Sequence, residues 1–360
     1  MKKKADPGLS YAVLSQYRGE LMGFAMLWIM LFHAFYMTPE TAWVKNLKDI
    51  GYFGVDIFIF LSSLGLSISL SRKKQSYGAY LKRRLVRVLP TYWLVTGVYG
   101  LALYFVGRTS RKTILWTVST LFYWFGKPNY FNWYIPALLF FYLLAPLCVA
   151  LLSRINHKEI VTAGLCLLVL PLSWAMQSIG LGHITRDLVP RLPVFLMGTL
   201  IGGYIVQDRI LTPRRLWVWA ALPFLVPVIK NLAGDVFSSR CFSFAFGCVA
   251  VCLLLSGLAA ILPQWLREAL RLLGACSLEI YLLNVVFVLE YGTLSGFIPS
   301  GENHSIYYTI TIIANILLGI TLHYLLKKPM AWLTEKVTGS GSLSRPPKGE
   351  GYSAEDPSGR

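Results

Sequence analysis

Ten stretches of this chain are apolar over roughly the 20 residues that one helical crossing of a bilayer requires. They run near 18–38, 50–70, 90–107, 133–153, 159–179, 190–206, 215–231, 241–262, 271–290 and 306–326. A soluble domain has no use for such repetition, so the expected fold is all-α, a polytopic transmembrane helical bundle. An eleventh apolar stretch, 113–126, is too short to cross comfortably and is assigned to a non-spanning helix. The loops then sort by charge. With 113–126 kept out of the count, the loops at 71–87, Arg154/Lys158, Arg209/Arg214/Arg215, Arg267/Arg271 and Lys327/Lys328 share one side with the basic start Lys2–Lys4. That side carries about twice the Lys and Arg of the other, which makes it cytoplasmic together with both termini. Residues 1–337 form the expected membrane domain, and 338–360, rich in Gly, Ser, Pro and charge, read as a disordered tail.

The formal charge of +17 alone would suggest nucleic acid. In a chain that is 55% hydrophobic and 14% charged it reflects basic cytoplasmic loops, and no soluble basic domain remains to grip a phosphate backbone. The six cysteines lie in or beside apolar segments without metal-ligand spacing, so no metal is expected. The first apolar run lacks a small-residue cleavage site and carries Arg18 and His33, which makes it a permanent span.

Polar residues at membrane depth are costly and mark candidate chemistry. His33 lies about five residues short of the outer end of the first segment, and Asp56 about six residues into the second. The two come to similar depth, and a carboxylate beside an imidazole raises its basicity. The same pair could instead be a hydrogen bond that only joins two helices. Lys82, Arg83, Arg84 and Arg87 cluster at the inner mouth of the 90–107 segment, where guanidinium groups can clamp phosphates or simply set topology. Arg72, Lys73 and Lys74 are assigned to topology and anionic lipid. Trp133 and Tyr134 open the 133–153 segment and by themselves read as an interfacial belt. Arg191, between Pro190 and Pro193, either binds an anion or snorkels to the interface. Glu279 falls well inside 271–290 and needs a partner or a water-filled cavity.

These stretches, in this order, resemble bacterial acyltransferase family 3, polytopic O-acyltransferases that modify cell-surface carbohydrates. The resemblance runs from about residue 11 to about 335. It rests on Leu31-Phe32-His33, Gly54-Val55-Asp56-Ile57-Phe58 and Arg83-Arg84-Leu85-Val86-Arg87-Val88-Leu89-Pro90, with weaker support from Arg191-Leu192-Pro193, Ser277-Leu278-Glu279-Ile280-Tyr281-Leu282 and His323-Tyr324-Leu325. Four features depart from the pattern. Leu138 and Leu139 stand where many members follow the tryptophan of the 133–153 segment with an acidic residue. Met22 stands where a basic residue usually precedes the histidine by eleven, with Arg18 one turn lower. Ser63 replaces a glycine, and Asn284 replaces a histidine that often closes the Ser-Leu-Glu motif.

The resemblance implies acyl-CoA as donor, acetyl by default, a carbohydrate hydroxyl as acceptor, and the bacterial inner membrane as location. His33 with Asp56 is then the expected catalytic base, Arg84, Arg87, Arg83 and Arg18 the donor site, and Trp133, Tyr134, Arg191 and Glu279 the substrate site. Membrane lipid is the surrounding partner, nucleic acid is not one, and a homo-oligomer is compatible with the sequence. The rival expectation is a proton-coupled transporter or flippase of a lipid-linked sugar, using His33, Asp56 and Glu279 as a relay. A membrane sensor that binds acyl-CoA without turnover is a third.

Overall fold

The computed structural model describes residues 10–35, 41–73, 75–129, 131, 133–221, 239–294 and 305–338. The expectations for Lys2–Lys4, for Lys74, for most of 215–231 and for the tail from 339 onward lie outside these residues. The described chain is helical, its one β feature an isolated antiparallel bridge between Ser10 and Ile210.

In order the helices are α1 (Ala12–Gln16), α2 (Arg18–Phe32), α3 (Ala42–Asp49), α4 (Phe53–Arg72), α5 (Tyr77–Phe105), α6 (Arg111–Val118), α7 (Leu121–Phe125), α8 (Tyr134–Arg154) and α9 (Lys158–Ser178). They continue as α10 (Gly182–Asp187), a 3₁₀ turn at Val189–Arg191, α11 (Leu192–Val206), α12 (Pro213–Ala221), α13 (Ser239–Ile261), α14 (Gln264–Ala275), α15 (Ser277–Leu289), α16 (Tyr291–Leu294) and α17 (Ser305–Thr338).

Among the described residues six helical stretches are long and apolar enough to cross a bilayer, or seven if the bent pair α14–α15 counts as one span. This is a multi-pass membrane protein. The three other expected spans fall short for separate reasons. The 18–38 segment yields the 15-residue helix α2, which stops at His33. The 215–231 segment is described only through the nine-residue α12, and the apolar described part of 241–262 is Gly247–Ile261. Residues 111–125 do break into two short helices, with Thr120 between them at φ 65°, and neither can cross.

Two further boundaries differ from the sequence reading. The 90–107 segment is the outer part of one 29-residue helix that starts where the Ser76 side chain accepts from the Ala79 N–H. Arg83, Arg84 and Arg87 lie within this helix, and the i, i+4 spacing of Arg83 and Arg87 puts those two on one face, as the sequence spacing implies. The 271–290 segment is broken at Cys276, where α14 and α15 meet at 70°. Glu279 consequently lies in the first turn of α15, just after the bend.

Small residues set how closely the central helices approach. In lipid there is little hydrophobic drive between helices, so close backbone contact and dispersion carry the packing. Gly198 and Gly202, one turn apart on α11, face Ser63 and Ser67 of α4, and the Ser67 hydroxyl donates to the Thr199 carbonyl at 2.9 Å. A methyl group at Gly202 would sit 2.6 Å from the Ser67 Cβ and 2.7 Å from the Leu64 carbonyl oxygen. At the basic end, Gly19 and Gly23 of α2 meet Gly274 and Leu270 of α14, and Arg271 donates to the buried Glu20 carboxylate at 2.7 Å. The α10–α11 stretch is the most enclosed span, with 83% of its apolar window buried, whereas α17 lies at the periphery with 17%.

Gly198→Ala should lower the thermal unfolding midpoint of detergent-purified protein, because overpacking here costs about 1–3 kcal/mol. Gly203→Ala is the control, since nothing lies within 4 Å of its added methyl. Equal midpoints for the two variants would refute the close α4–α11 packing.

Candidate functional site

Three cavities lie in series through the bundle and share walls. The inner one, about 500 Å³, is bordered by Lys73, Arg83, Arg84, Arg87, Glu279, His323 and Lys327. The middle one holds Arg18, Ser62, Arg84, Arg87, Tyr134, Tyr142, Ser277 and Tyr281. The outer one, about 310 Å³, is lined by Phe32, His33, Tyr52, Trp133, Arg186, Asp187, Arg191 and Tyr281. Arg84, Arg87, Met22, Ser277 and Leu278 border both the inner and middle cavities, while Ile29, Val55 and Tyr281 border both the middle and outer ones. The arginines and the histidine thus belong to one chain of adjoining spaces. His33 follows Arg18 by 15 residues along α2, a rise of ~22 Å.

The guanidinium groups reach the middle cavity from two helices. Arg84 and Arg87 come from neighbouring turns of α5, and the Arg84 Cζ lies 5.7 Å from the Tyr80 ring centre. Arg18 comes from the first turn of α2. Its Nε donates to the Leu61 carbonyl at 3.1 Å, and its guanidinium crosses α4 over Gly65, the nearest atom 3.1 Å from where a Cβ would stand. A side chain at 65 would push Arg18 away. Arg83 opens onto the inner cavity alone, next to Lys73 and Lys327. Lys73, which the sequence reading gave to topology and lipid, therefore has a place in the cavity wall.

Glu279 does not join the outer residues. The bend at Cys276 holds it in the inner cavity, where its Oε1 lies 3.3 Å from His323 Nδ1. Its expected place in a substrate site with Trp133 and Arg191 is corrected accordingly. Tyr134 also lies inward of Trp133. Its ring meets Tyr281 edge-on at 4.9 Å between centroids, beside the passage from the middle to the outer cavity.

The expected pairing of His33 with Asp56 is not formed. The two reach similar depth, but the Asp56 carboxylate points into the α4–α11 interface, fully buried, with Arg191 Nε 3.1 Å from Oδ1. This contact is electrostatic, since neither carboxylate oxygen has an aligned hydrogen-bond donor among the described residues. Arg191 is held from three sides. Its Cζ lies 4.4 Å from the Trp133 ring centre, and its Nη1 donates to the Asp187 carbonyl. The histidine finds a different partner, Asn284 on α15, whose side-chain oxygen meets Nδ1. Phe32 and Phe35 pack near the imidazole, with centroids at 5.6 and 5.7 Å.

Trp133 and Arg191 do accompany His33 in the outer cavity. Arg186, Asp187 and Tyr281, to which the sequence reading gave no role, complete its wall. Two sequence signals mark Asn284: it is a polar amide in the otherwise apolar run 280–289, and it stands where a histidine often closes the Ser-Leu-Glu motif. Among the described residues no group of three or more His, Cys, Asp or Glu side chains is placed to hold a metal ion.

A family model described as an acyltransferase domain matches residues 21–324. No curated protein and no solved structure matches the chain.

Removing one partner of a buried ion pair strands the other, a loss of about 3–5 kcal/mol. Asp56→Leu should therefore be strongly destabilised in denaturant melts, and Asp56→Leu combined with Arg191→Met should recover most of the loss. A double-mutant cycle with no coupling would show that the two charges do not hold each other.

Proposed function

The chain belongs to acyltransferase family 3, and from that premise we propose that it is a membrane O-acyltransferase drawing on cytosolic acyl-CoA. The acceptor in this reading is a hydroxyl of a cell-surface or lipid-linked carbohydrate. The single observation that carries it is the series of adjoining cavities with guanidinium groups at one end and a half-buried imidazole at the other.

Coenzyme A has a polyanionic nucleotide end and a long, nearly uncharged arm, and the cavities have the matching order. Arg83, Lys73 and Lys327 line the wide inner space, and Arg84, Arg87 and Arg18 continue into the narrower one. Bidentate guanidinium contacts suit phosphate oxygens. The arm then follows the middle cavity past Ser62, Tyr142 and Tyr281. At its far end the thioester carbonyl meets the acceptor beside His33.

The outer cavity suits a sugar. Trp133, Tyr52 and Phe32 offer ring faces, and Asp187 offers carboxylate oxygens to hydroxyl donors. Arg191, already committed to Asp56 and stacked on Trp133, positions that ring. In the transfer, the imidazole of His33 takes the proton from the acceptor hydroxyl as its oxygen attacks the thioester carbon. The C–S bond breaks, the new ester C–O bond remains on the acceptor, and the protonated imidazole returns its proton to the departing thiolate. Acetyl is the preferred group and the bacterial inner membrane, with the arginine end cytoplasmic, the preferred setting.

His33→Ala should lower acyl transfer from labelled acetyl-CoA to envelope carbohydrate by about 10²–10⁴-fold. It should leave the thermal stabilisation by coenzyme A intact. Arg84→Gln and Arg87→Gln should do the reverse, raising the donor KM about tenfold each and weakening that stabilisation. Normal turnover by His33→Ala, or undiminished stabilisation by coenzyme A in the double arginine variant, would overturn the assignment.

A further inference from the structure

We propose that Asn284 is a positioning residue that fixes which nitrogen of His33 carries the proton. Its side-chain oxygen accepts from Nδ1–H, and this leaves Nε2 as the bare, proton-accepting nitrogen. The use of that nitrogen in acyl transfer rests on the reading above; the protonation pattern itself does not.

The argument starts from what each group is able to give. An amide oxygen has no proton, so a hydrogen bond between Asn284 Oδ1 and His33 Nδ1 uses a proton on the ring. A neutral imidazole has only one N–H, so Nε2 must then carry a lone pair. The ring lines the outer cavity, and among the described residues Nε2 has no hydrogen-bond partner. Asn284 is well placed to hold this arrangement. It is buried, it stands on the rigid helix α15, and it comes from the far end of the chain, 251 residues from His33. Phe32 and Phe35 restrict the ring from the sides. The carboxylate that sequence spacing suggested for this task is engaged with Arg191 instead.

An amide differs from a carboxylate in one consequential way. It orients the ring and selects the tautomer, yet supplies no negative charge to stabilise an imidazolium. A proton accepted at Nε2 is therefore passed on readily, here to the leaving thiolate. A reversed amide would do the opposite. With Nδ2 donating to a bare Nδ1, the ring proton would sit on Nε2, and that nitrogen would be a donor with no basic function.

The two arrangements are separated by ¹⁵N NMR of histidine-labelled full-length protein in lipid bilayers, the His33 signals being those lost in His33→Ala. The expected spectrum has Nδ1 protonated and Nε2 bare. Asn284→Asp, which can only accept from Nδ1, should keep that pattern and retain transfer from acetyl-CoA to within about tenfold of the parent. Asn284→Leu should mix the tautomers and lower kcat about 10–100-fold while the KM for acetyl-CoA stays within about twofold. Asn315 provides the control. It is a fully buried amide on α17 with no hydrogen-bond partner for either amide atom among the described residues, and Asn315→Leu should alter neither spectrum nor kcat. A wild-type spectrum with Nε2 protonated would overturn the proposal, as would an Asn284→Leu protein with unchanged tautomer and unchanged kcat. Absence of acyl transfer in the wild type would instead overturn the enzymatic reading, while the spectrum decides the tautomer by itself.

Discussion

The contact between Asp56 and Arg191 is the constraint on which the site depends. Two charged side chains at membrane depth, one fully buried and one nearly so, are each expensive alone. Together they fix three pieces of backbone: α4 through Asp56, the 3₁₀ turn entering α11 through Arg191, and the start of α8 through Trp133 stacked on the guanidinium. The two aromatic and charged faces so placed become a wall of the outer cavity. A pair of this kind does little for net stability against an apolar substitute, but it specifies one register of α4 against α11. The small residues Gly198, Gly202, Ser63 and Ser67 then allow that register to close.

The commitment of Asp56 has a chemical consequence. A carboxylate engaged with a guanidinium across a helix interface is unavailable to polarise an imidazole. The histidine is served instead by an uncharged amide from α15, and the arginine and histidine ends of the passage are joined by the same helix. Ser277 and Leu278 at its start border the arginine-lined spaces, Tyr281 stands between the middle and outer cavities, and Asn284 meets the histidine. The 70° break at Cys276 aims this helix along the passage, while α14 packs against the glycines of α2.

Much of this was legible in the sequence, because membrane depth makes polar residues conspicuous. His33, the pair Arg84 and Arg87, and Arg18 were each visible as charge in or beside an apolar run, and they do line adjoining cavities. The partnerships were less legible. Depth along a helix follows from counting residues, and by depth His33 and Asp56 match. Direction around the helix does not follow from depth, and every face of α4 is apolar enough to hide which one carries Asp56 toward Arg191. Glu279 was misplaced for a related reason: the apolar run is continuous across Cys276, so nothing in hydropathy marks the bend. Asn284 stands out as a departure from the motif, but its role does not, because a neutral amide in an apolar helix is an ordinary packing residue until its partner, 251 positions away, is known.

The most direct measurement of the central claim is a structure of the protein in lipid with a non-hydrolysable acetyl-CoA analogue bound. The account predicts phosphates against Arg84 and Arg87, the arm lying in the middle cavity past Tyr281, and the analogue's carbonyl carbon beside His33. An analogue bound elsewhere, or one whose acyl end stops short of His33 with the passage closed at Tyr281, would contradict it.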